Sequence, residues 1–342
     1  YSQEGFDRLA PSQIKDHFMT NINFTQIESN GITMRLAHAG QGPLVLLIHG
    51  WPESWYSWRH QLRALAEAGY HAVAPDMRGY GGTSAPAEPE AYRIDHLAND
   101  VVGIIDHFEQ ETATIVGHDW GSMVVWYTAL LHPARINGVM GMSVPYGGRA
   151  KQAPLESFKA AFGDNFFYIL YHNELDSNNQ GVAEAEYDQD PKGILSRLYA
   201  SPDSPRAPAL ITDPKRRAGG WIDRLGEVLE QPAWLSEDDL AYFVNEFEGS
   251  GFRGGVNYYR NFDSNWLITE AVDPVISMPS AFVSGAQDVV IQGADTAALK
   301  AMMSPVMAQL GDITLIDGMG HWIQQEAPAE TNAAIIKFLK SI

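Results

Sequence analysis

The chain has 342 residues, a net charge of −19 and no cysteine, which excludes disulfides, thiolate catalysis and zinc sites with cysteine ligands. Its acidic excess disfavours nucleic acids and anionic membranes as partners, because phosphate binding needs clustered lysine and arginine. No apolar stretch approaches the ~20 residues of a membrane span, and the length indicates one large domain with an insertion, or two domains.

The first half of the chain alternates the patterns of strands and helices. Residues 23–28 and 32–38 are predicted as two strands joined by a hairpin at Ser29-Asn30-Gly31. Further strands are predicted at 44–48, 71–75, 113–116 and 136–144, and helices at 54–68, 94–109 and 122–131. This alternation predicts an α/β protein with a mostly parallel central sheet and helices on both faces.

The pattern changes between Pro145 and about Trp266, where the sequence is helical, rich in aromatic residues and without a clear strand. We interpret this segment as a helical lid. Alternation then resumes, with strands predicted at 280–284 and 313–316 and helices at 294–308 and 327–339. The predicted organisation is a core domain over residues 1–145 and 267–342, with a helical cap domain over 146–266.

One stretch organises the rest of the chain. The predicted strand at 113–116 runs into Gly117-His-Asp-Trp-Gly121, and an apolar helix follows. Strand, Gly-x-X-x-Gly and helix form the pattern of a nucleophile elbow, in which the middle residue is held at the tip of a sharp turn. That residue is serine in esterases and Asp119 here. A glycine-rich turn in which Asp119 caps the helix explains the pentapeptide equally well.

The remainder of the chain decides between these interpretations. A nucleophile elbow requires an acid and then a base on later loops. Asp288 follows the predicted strand at 280–284, and His321 follows the one at 313–316. Each alone has an ordinary explanation, as a helix cap or a loop histidine. Three such residues in this order, each at the end of a strand where active sites of open α/β sheets collect, indicate a catalytic triad.

With these residues the sequence resembles the α/β-hydrolase superfamily and, within it, the soluble epoxide hydrolases. The resemblance covers nearly the whole chain after about residue 20. It rests on Asp119, Asp288 and His321 and on the segments His49–Glu53, Asp76–Gly81, Gly117–Gly121, Phe167–Tyr171 and Gly251–Arg260. It implies an α/β-hydrolase fold with a cap and the conversion of epoxides to vicinal diols, with no cofactor and no metal.

A carboxylate is already ionised at neutral pH, so Asp119 can attack an epoxide carbon without a base and form an ester. His321 is expected to activate the water that hydrolyses the ester, and Asp288 to orient His321. The resemblance further implies that the backbone N–H groups of Trp51 and Trp120 form the oxyanion hole and that the Trp51–Pro52 bond is cis.

Opening an epoxide produces an alkoxide, which needs a proton donor. The family uses two cap tyrosines, which by resemblance are Tyr168 and Tyr259, with Tyr171 and Tyr258 as close rivals in register. Trp51, Pro52, Trp120 and Phe167 are expected to line the substrate pocket. Arg78, in the glycine-rich loop after residue 75, is expected to tie loops together.

Two alternatives remain open from the sequence. A haloalkane dehalogenase shares the fold and the Asp-His-Asp mechanism, but its cap supplies N–H donors to a halide in place of paired tyrosines. A non-catalytic binding protein on a hydrolase scaffold has no need of a complete triad. We expect a small apolar epoxide and water as partners, no nucleic acid or membrane insertion, and a monomer or homodimer. A soluble, cytoplasmic protein is expected, with export left open, and the start at Tyr1 suggests removal of a preceding segment.

Overall fold

A single eight-stranded sheet crosses the part of the chain that the structure, a computed structural model, describes, residues 22–342. The strands are β1 (Asn23–Ser29), β2 (Ile32–Ala39), β3 (Leu44–Ile48), β4 (His71–Pro75), β5 (Ala113–His118), β6 (Ile136–Met142), β7 (Ile276–Gly285) and β8 (Met307–Ile316). Their order is β1-β2-β4-β3-β5-β6-β7-β8. Residues 1–21 of the predicted core domain lie outside the described residues.

The sheet is mixed at one edge and parallel elsewhere. Strand β2 pairs antiparallel with β1 and β4, whereas β4, β3, β5, β6, β7 and β8 run parallel to one another. Every residue of β3 and β5 is buried, which explains their continuous apolar runs, because helices cover both faces of the central strands. The predicted mostly parallel α/β-hydrolase sheet is confirmed.

Thirteen α-helices occur in residues 22–342. Those that flank the sheet are α1 (Arg59–Glu67), α2 (Ile94–His107), α3 (Trp120–Leu131), α11 (Thr296–Met303), α12 (Ile323–Glu326) and α13 (Pro328–Leu339). Those inserted between β6 and β7 are α4 (Pro154–Phe162), α5 (Tyr168–His172), α6 (Val182–Gln189), α7 (Pro191–Leu198), α8 (Glu237–Ser250), α9 (Arg253–Arg260) and α10 (Phe262–Ile268). None of these helices is long and apolar enough to cross a bilayer.

The sequence predictions differ from the structure mainly at the ends of elements. The predicted helix at 54–68 begins as a 3₁₀ turn, Trp55–Trp58, before α1. The helix predicted at 294–308 ends at Met303, because the chain passes through a short 3₁₀ turn and joins β8 at Met307. The first half of β8 escaped prediction because it lies at the sheet edge with largely exposed side chains and lacks an apolar run.

Buried polar contacts join the inserted helices to the core. Arg35 of β2 donates to Asp76 and to Glu246 of α8. The Tyr56 hydroxyl donates to Asp239 of α8 over 2.9 Å. Contacts of this kind are satisfied only when both parts are in place, so they fix the inserted helices over the sheet.

The glycine-rich loop after β4 is structural. Arg78 makes a two-pronged ion pair with the buried Asp100 of α2, at 2.9 and 2.6 Å. Its third contact is with the carbonyl of Asn30 in the β1–β2 turn. The expectation that Arg78 ties loops together is therefore confirmed.

Candidate active site

Asp119 lies at the sharp turn between β5 and α3. Its backbone has φ 53° and ψ −118°, which non-glycine residues rarely adopt, and its side chain does not cap the helix. The flanking glycines are required by close packing. A β-carbon on Gly121 would lie 1.9 Å from the carbonyl oxygen of Ile48, and one on Gly117 would lie 2.1 Å from that of Gly121. This is the geometry of a nucleophile elbow, and the simple helix-cap interpretation is wrong.

The loop after β3 reaches over Asp119. The backbone N–H of Trp51 donates to Oδ1 of Asp119 over 2.8 Å, and the Trp51–Pro52 peptide bond is cis, as expected. One of the two predicted oxyanion donors is therefore within hydrogen-bonding distance of the carboxylate. A donor role for the Trp120 N–H stays a prediction. The Pro52 carbonyl accepts a hydrogen bond from the Tyr199 hydroxyl, which ties this loop to the segment after α7.

The structure brings His321 and Asp288 to the same place. Nε2 of His321 lies 3.5 Å from Oδ2 of Asp119, and Nδ1 lies 3.1 and 3.0 Å from the two carboxylate oxygens of Asp288. The Asp119 and His321 side chains are 15% and 16% exposed, whereas that of Asp288 is fully buried. Solvent or a substrate can thus reach the first two residues but not the third.

Neighbouring charges set the protonation of His321 and Asp288. Burial alone would lower the pKa of His321, but the carboxylates of Asp288 and Asp119 outweigh it and raise that pKa well above its ordinary value. Burial alone would raise the pKa of Asp288, yet His321 holds it below its usual range. At neutral pH His321 is therefore in its charged, doubly protonated form, and its ring lies between two carboxylates.

Two residues without a predicted role, His118 and Ser143, bind the backbone carbonyl of His321. The His321 carbonyl accepts hydrogen bonds from Nε2 of His118 over 2.7 Å and from the Ser143 hydroxyl over 2.9 Å. Nδ1 of His118 lies 2.8 Å from Oε2 of Glu53. The His118 ring is thus held between two acceptors, the His321 carbonyl and the Glu53 carboxylate.

Glu53 is ionised in this arrangement. Burial alone would raise its pKa, but His118, His49 and the Gly50 amide together lower it to about 2. Gln324 also donates to it, over 2.7 Å. Glu53 and His118 both stand in segments that carry the sequence resemblance, but only the meeting of three loops shows that they are partners.

Tyr259 and Tyr168 cover the nucleophile. The Tyr259 ring lies 5.2 Å from the Trp120 ring and 5.8 Å from the Tyr168 ring. Burial raises the pKa of both hydroxyls, and the negative charge of Asp119 raises both further, so each keeps its proton at neutral pH.

The rival tyrosines are engaged elsewhere. The Tyr171 hydroxyl donates to Glu186 over 2.9 Å, and the Tyr258 hydroxyl donates to the Arg78 carbonyl over 3.0 Å. The structure thus places Tyr168 and Tyr259, not their neighbours in sequence, beside Asp119. Their catalytic role remains a prediction.

Aromatic rings form the surroundings of the site. Phe167 stacks on Phe162 at 4.1 Å and contacts Tyr168 at 5.1 Å, so it lies beside a predicted donor, as expected of a pocket residue. Trp221 was not predicted as a pocket residue. Its ring stacks on that of Tyr168 at 5.0 Å and on that of Trp51 at 5.8 Å. It stands in an irregular stretch without periodicity, so the sequence carries no signal for it.

Further rings connect the nucleophile to the cap surface. Phe262 lies 5.0 Å from Trp120, and Phe158 of the half-buried helix α4 lies 6.0 Å from Phe262. Within residues 22–342, no group of three or more His, Asp or Glu side chains is arranged to hold a metal ion.

Comparison with known proteins gives consistent matches. The family of the α/β-hydrolase fold matches residues 43–328. Epoxide hydrolase A of Mycobacterium tuberculosis is 43% identical over 322 residues, covering 92% of this chain and 97% of the relative. Epoxide hydrolase 2 of Siraitia grosvenorii is 36% identical and covers 94% of this chain and 99% of its own length.

Solved structures agree with these sequence matches. Epoxide hydrolase A from Mycobacterium thermoresistibile superposes with a TM-score of 0.83 at 44% identity, covering 93% of this chain and 98% of that one. An epoxide hydrolase from Vigna radiata gives a TM-score of 0.84 at 35% identity, with 95% and 99% covered. The similarity thus includes both the sheet and the inserted helices.

Proposed function

The chain belongs to the epoxide hydrolases of the α/β-hydrolase-fold family, and from this premise we propose how its residues hydrolyse an epoxide. The observation that supports the proposal is a carboxylate on a strained elbow, 3.5 Å from an imidazole and covered by two protonated phenols. These groups suit a two-step reaction through a covalent ester.

In the first step, a carboxylate oxygen of Asp119 attacks one ring carbon of the epoxide, and the bond between that carbon and the ring oxygen breaks. The products are an ester of Asp119 and an alkoxide, which becomes a hydroxyl by taking the proton that His321 gives up when Asp119 loses its negative charge. Tyr168 and Tyr259 donate hydrogen bonds to this oxygen as negative charge develops on it, and stabilise the transition state.

In the second step, water attacks the carbonyl carbon of the ester. His321 accepts a proton from that water, and Asp288 stabilises the resulting imidazolium. The oxyanion forms on the former carboxylate oxygen, where the Trp51 N–H already donates over 2.8 Å. One such donor typically contributes about 3 kcal/mol to the transition state. Collapse of the oxyanion releases the diol and restores the Asp119 carboxylate.

We expect the tyrosine variants Tyr168→Phe and Tyr259→Phe to slow ester formation about 10- to 100-fold each, and the double variant to slow it further. Ester hydrolysis should change much less, because its oxyanion forms on Asp119 beside the Trp51 N–H and the former epoxide oxygen is by then a hydroxyl. Stopped-flow tryptophan fluorescence resolves the two steps, and Tyr171→Phe serves as the matched control. If the double variant slows hydrolysis more than ester formation, the proposed donors are wrong.

The surroundings of Trp120 favour an epoxide over a haloalkane. The pKa of Tyr259 is raised mainly by burial, whereas a hydrogen bond from the Trp120 side chain acts in the opposite direction. The Trp120 indole is thus paired with a tyrosine, its ring 5.2 Å from that of Tyr259, whereas a halide site would present N–H donors alone. We therefore infer that the leaving group is the epoxide oxygen.

The aromatic surroundings also support a small apolar epoxide as the substrate. Styrene oxide, a chloroalkane of similar size and a charged epoxide such as glycidate should be assayed side by side. We expect diol from styrene oxide, little product from glycidate and no chloride release. Chloride release faster than diol formation would instead assign the chain to dehalogenation.

A further inference from the structure

The two tyrosines stand on helices that are too short to hold an orientation alone. Tyr168 begins α5, which has five residues, and Tyr259 is the penultimate residue of α9, which has eight. Isolated helices shorter than about 12 residues are marginal in water, so contacts with neighbours must set their orientation. Both hydroxyls must reach one oxygen atom, so their separation has a narrow tolerance.

Arg260, the last residue of α9, joins these two helices. Its Nε donates to the carbonyl of His172, the last residue of α5, over 3.2 Å. The His172 ring in turn packs 4.4 Å from the Tyr259 ring. One side chain thus links the helix that carries Tyr259 to the helix that carries Tyr168.

The remaining nitrogens of Arg260 are also occupied. Nη1 and Nη2 donate to the two carboxylate oxygens of Glu184, on α6, over 2.8 and 2.7 Å. Nη1 also donates to the side-chain oxygen of Asn257 over 2.8 Å. The Arg260 and Glu184 side chains are only 11% and 10% exposed, so solvent screens this ion pair less than a surface pair.

Asn173 makes a second link between α5 and α9. The Asn173 side-chain amide, one residue after α5, donates to the carbonyl of Ile169 over 2.8 Å and to that of Tyr259 over 3.3 Å. Polar contacts thus fix the side of α9 that faces the other inserted helices α5 and α6. The other end of α9 rests on the core, where a β-carbon on Gly254 would lie 2.4 Å from the Gly79 carbonyl oxygen. The helix is thus held on the cap side by Arg260 and Asn173 and on the core side by Gly254.

We propose that Arg260 is a positioning residue that sets the separation of the Tyr168 and Tyr259 hydroxyls for the ring-opening step. It does so by holding His172, Glu184 and Asn257 with one planar fork. Lysine keeps the charge but presents a single nitrogen, so it cannot make these contacts together. The inference rests on the proposed function of the two tyrosines.

The test is Arg260→Lys, followed through single turnovers of styrene oxide. We expect ester formation to slow about 10- to 100-fold, because displacement of a reacting group by about 1 Å has an effect of this size. Ester hydrolysis, which depends on His321, should change less than about 3-fold. Arg197→Lys is the matched control, because Arg197 also binds two carbonyls within the cap but contacts neither α5 nor α9. It should leave both steps unchanged.

A double-variant cycle separates positioning from general loosening of the cap. In the Tyr168→Phe background only one donor remains, so Arg260→Lys should slow ester formation less than about 3-fold further. An undiminished effect in that background would overturn the proposal, as would equal slowing of both steps.

Two further measurements keep the result unambiguous. If Arg260→Lys does not fold, Glu184→Gln, which loses the charge but keeps the shape, should slow ester formation alone and to a smaller extent. If this variant forms the ester at the wild-type rate, the proposal fails while the proposed function stands. If the wild-type enzyme forms no ester on Asp119, the proposed function and this inference fail together.

Discussion

Replacing Asp119 with alanine is expected to abolish turnover, lowering kcat by at least about 10⁴-fold, because the proposed nucleophile is removed. The protein should still fold, since the Asp119 side chain does not cap α3 and is partly exposed. Diol formation and thermal denaturation should be measured on the same preparation. Asp295→Ala, which removes the exposed N-cap of α11, should lose about 1 kcal/mol of stability and no activity.

The oxygen isotope gives an independent check on the same residue. In a single turnover in ¹⁸O-labelled water, the water attacks the ester carbonyl, so the label should enter the Asp119 carboxylate. The diol of that first turnover should carry an unlabelled oxygen from Asp119. Label found directly in the diol, with none in the protein, would show that water attacks the epoxide and that no ester forms.

Replacing His321 with glutamine should stop the reaction after its first step. We expect ester hydrolysis to fall by about 10³-fold or more, because water loses its general base. Ester formation should be affected less, since the attacking side chain of Asp119 is unchanged in this variant. Intact-protein mass spectrometry after incubation with styrene oxide should therefore show a mass increase equal to one substrate molecule.

A peptide map should place that added mass on the peptide that contains Asp119. The His321→Gln, Asp119→Ala double variant is the control and should remain unmodified. An unmodified single variant, with an otherwise folded protein, would refute the division of labour between nucleophile and base. Modification at a residue other than Asp119 would refute the assignment of the nucleophile.

Much of this site could be predicted because its positions are set by local sequence. Asp119 lies between two glycines after an apolar run, and the close packing of Gly121 on β3 and of Gly117 on Gly121 leaves no room for a side chain at either position. Asp288 and His321 follow strands whose ends meet at the same edge of a parallel sheet. Sequence order along the chain therefore becomes proximity in space without any knowledge of the cap.

Other features depend on how distant segments meet. Tyr258 and Tyr259 are neighbours on one helix, about 100° apart around its axis, and only the packing of α9 on the core decides which of them faces Asp119. Trp221 follows no helical or strand period, yet it stacks between two groups of the site. The pairing of Glu53 with His118 joins residues 65 positions apart.

The proton that His321 holds between two carboxylates has a consequence for the whole cycle. Esterification removes the negative charge of Asp119, and with it part of what holds the proton on the ring. In the proposed mechanism the ring gives up that proton as the opened epoxide gains one, so a free base is present when an ester exists to be hydrolysed. The proton taken from water in the second step then restores the starting charge of the pair.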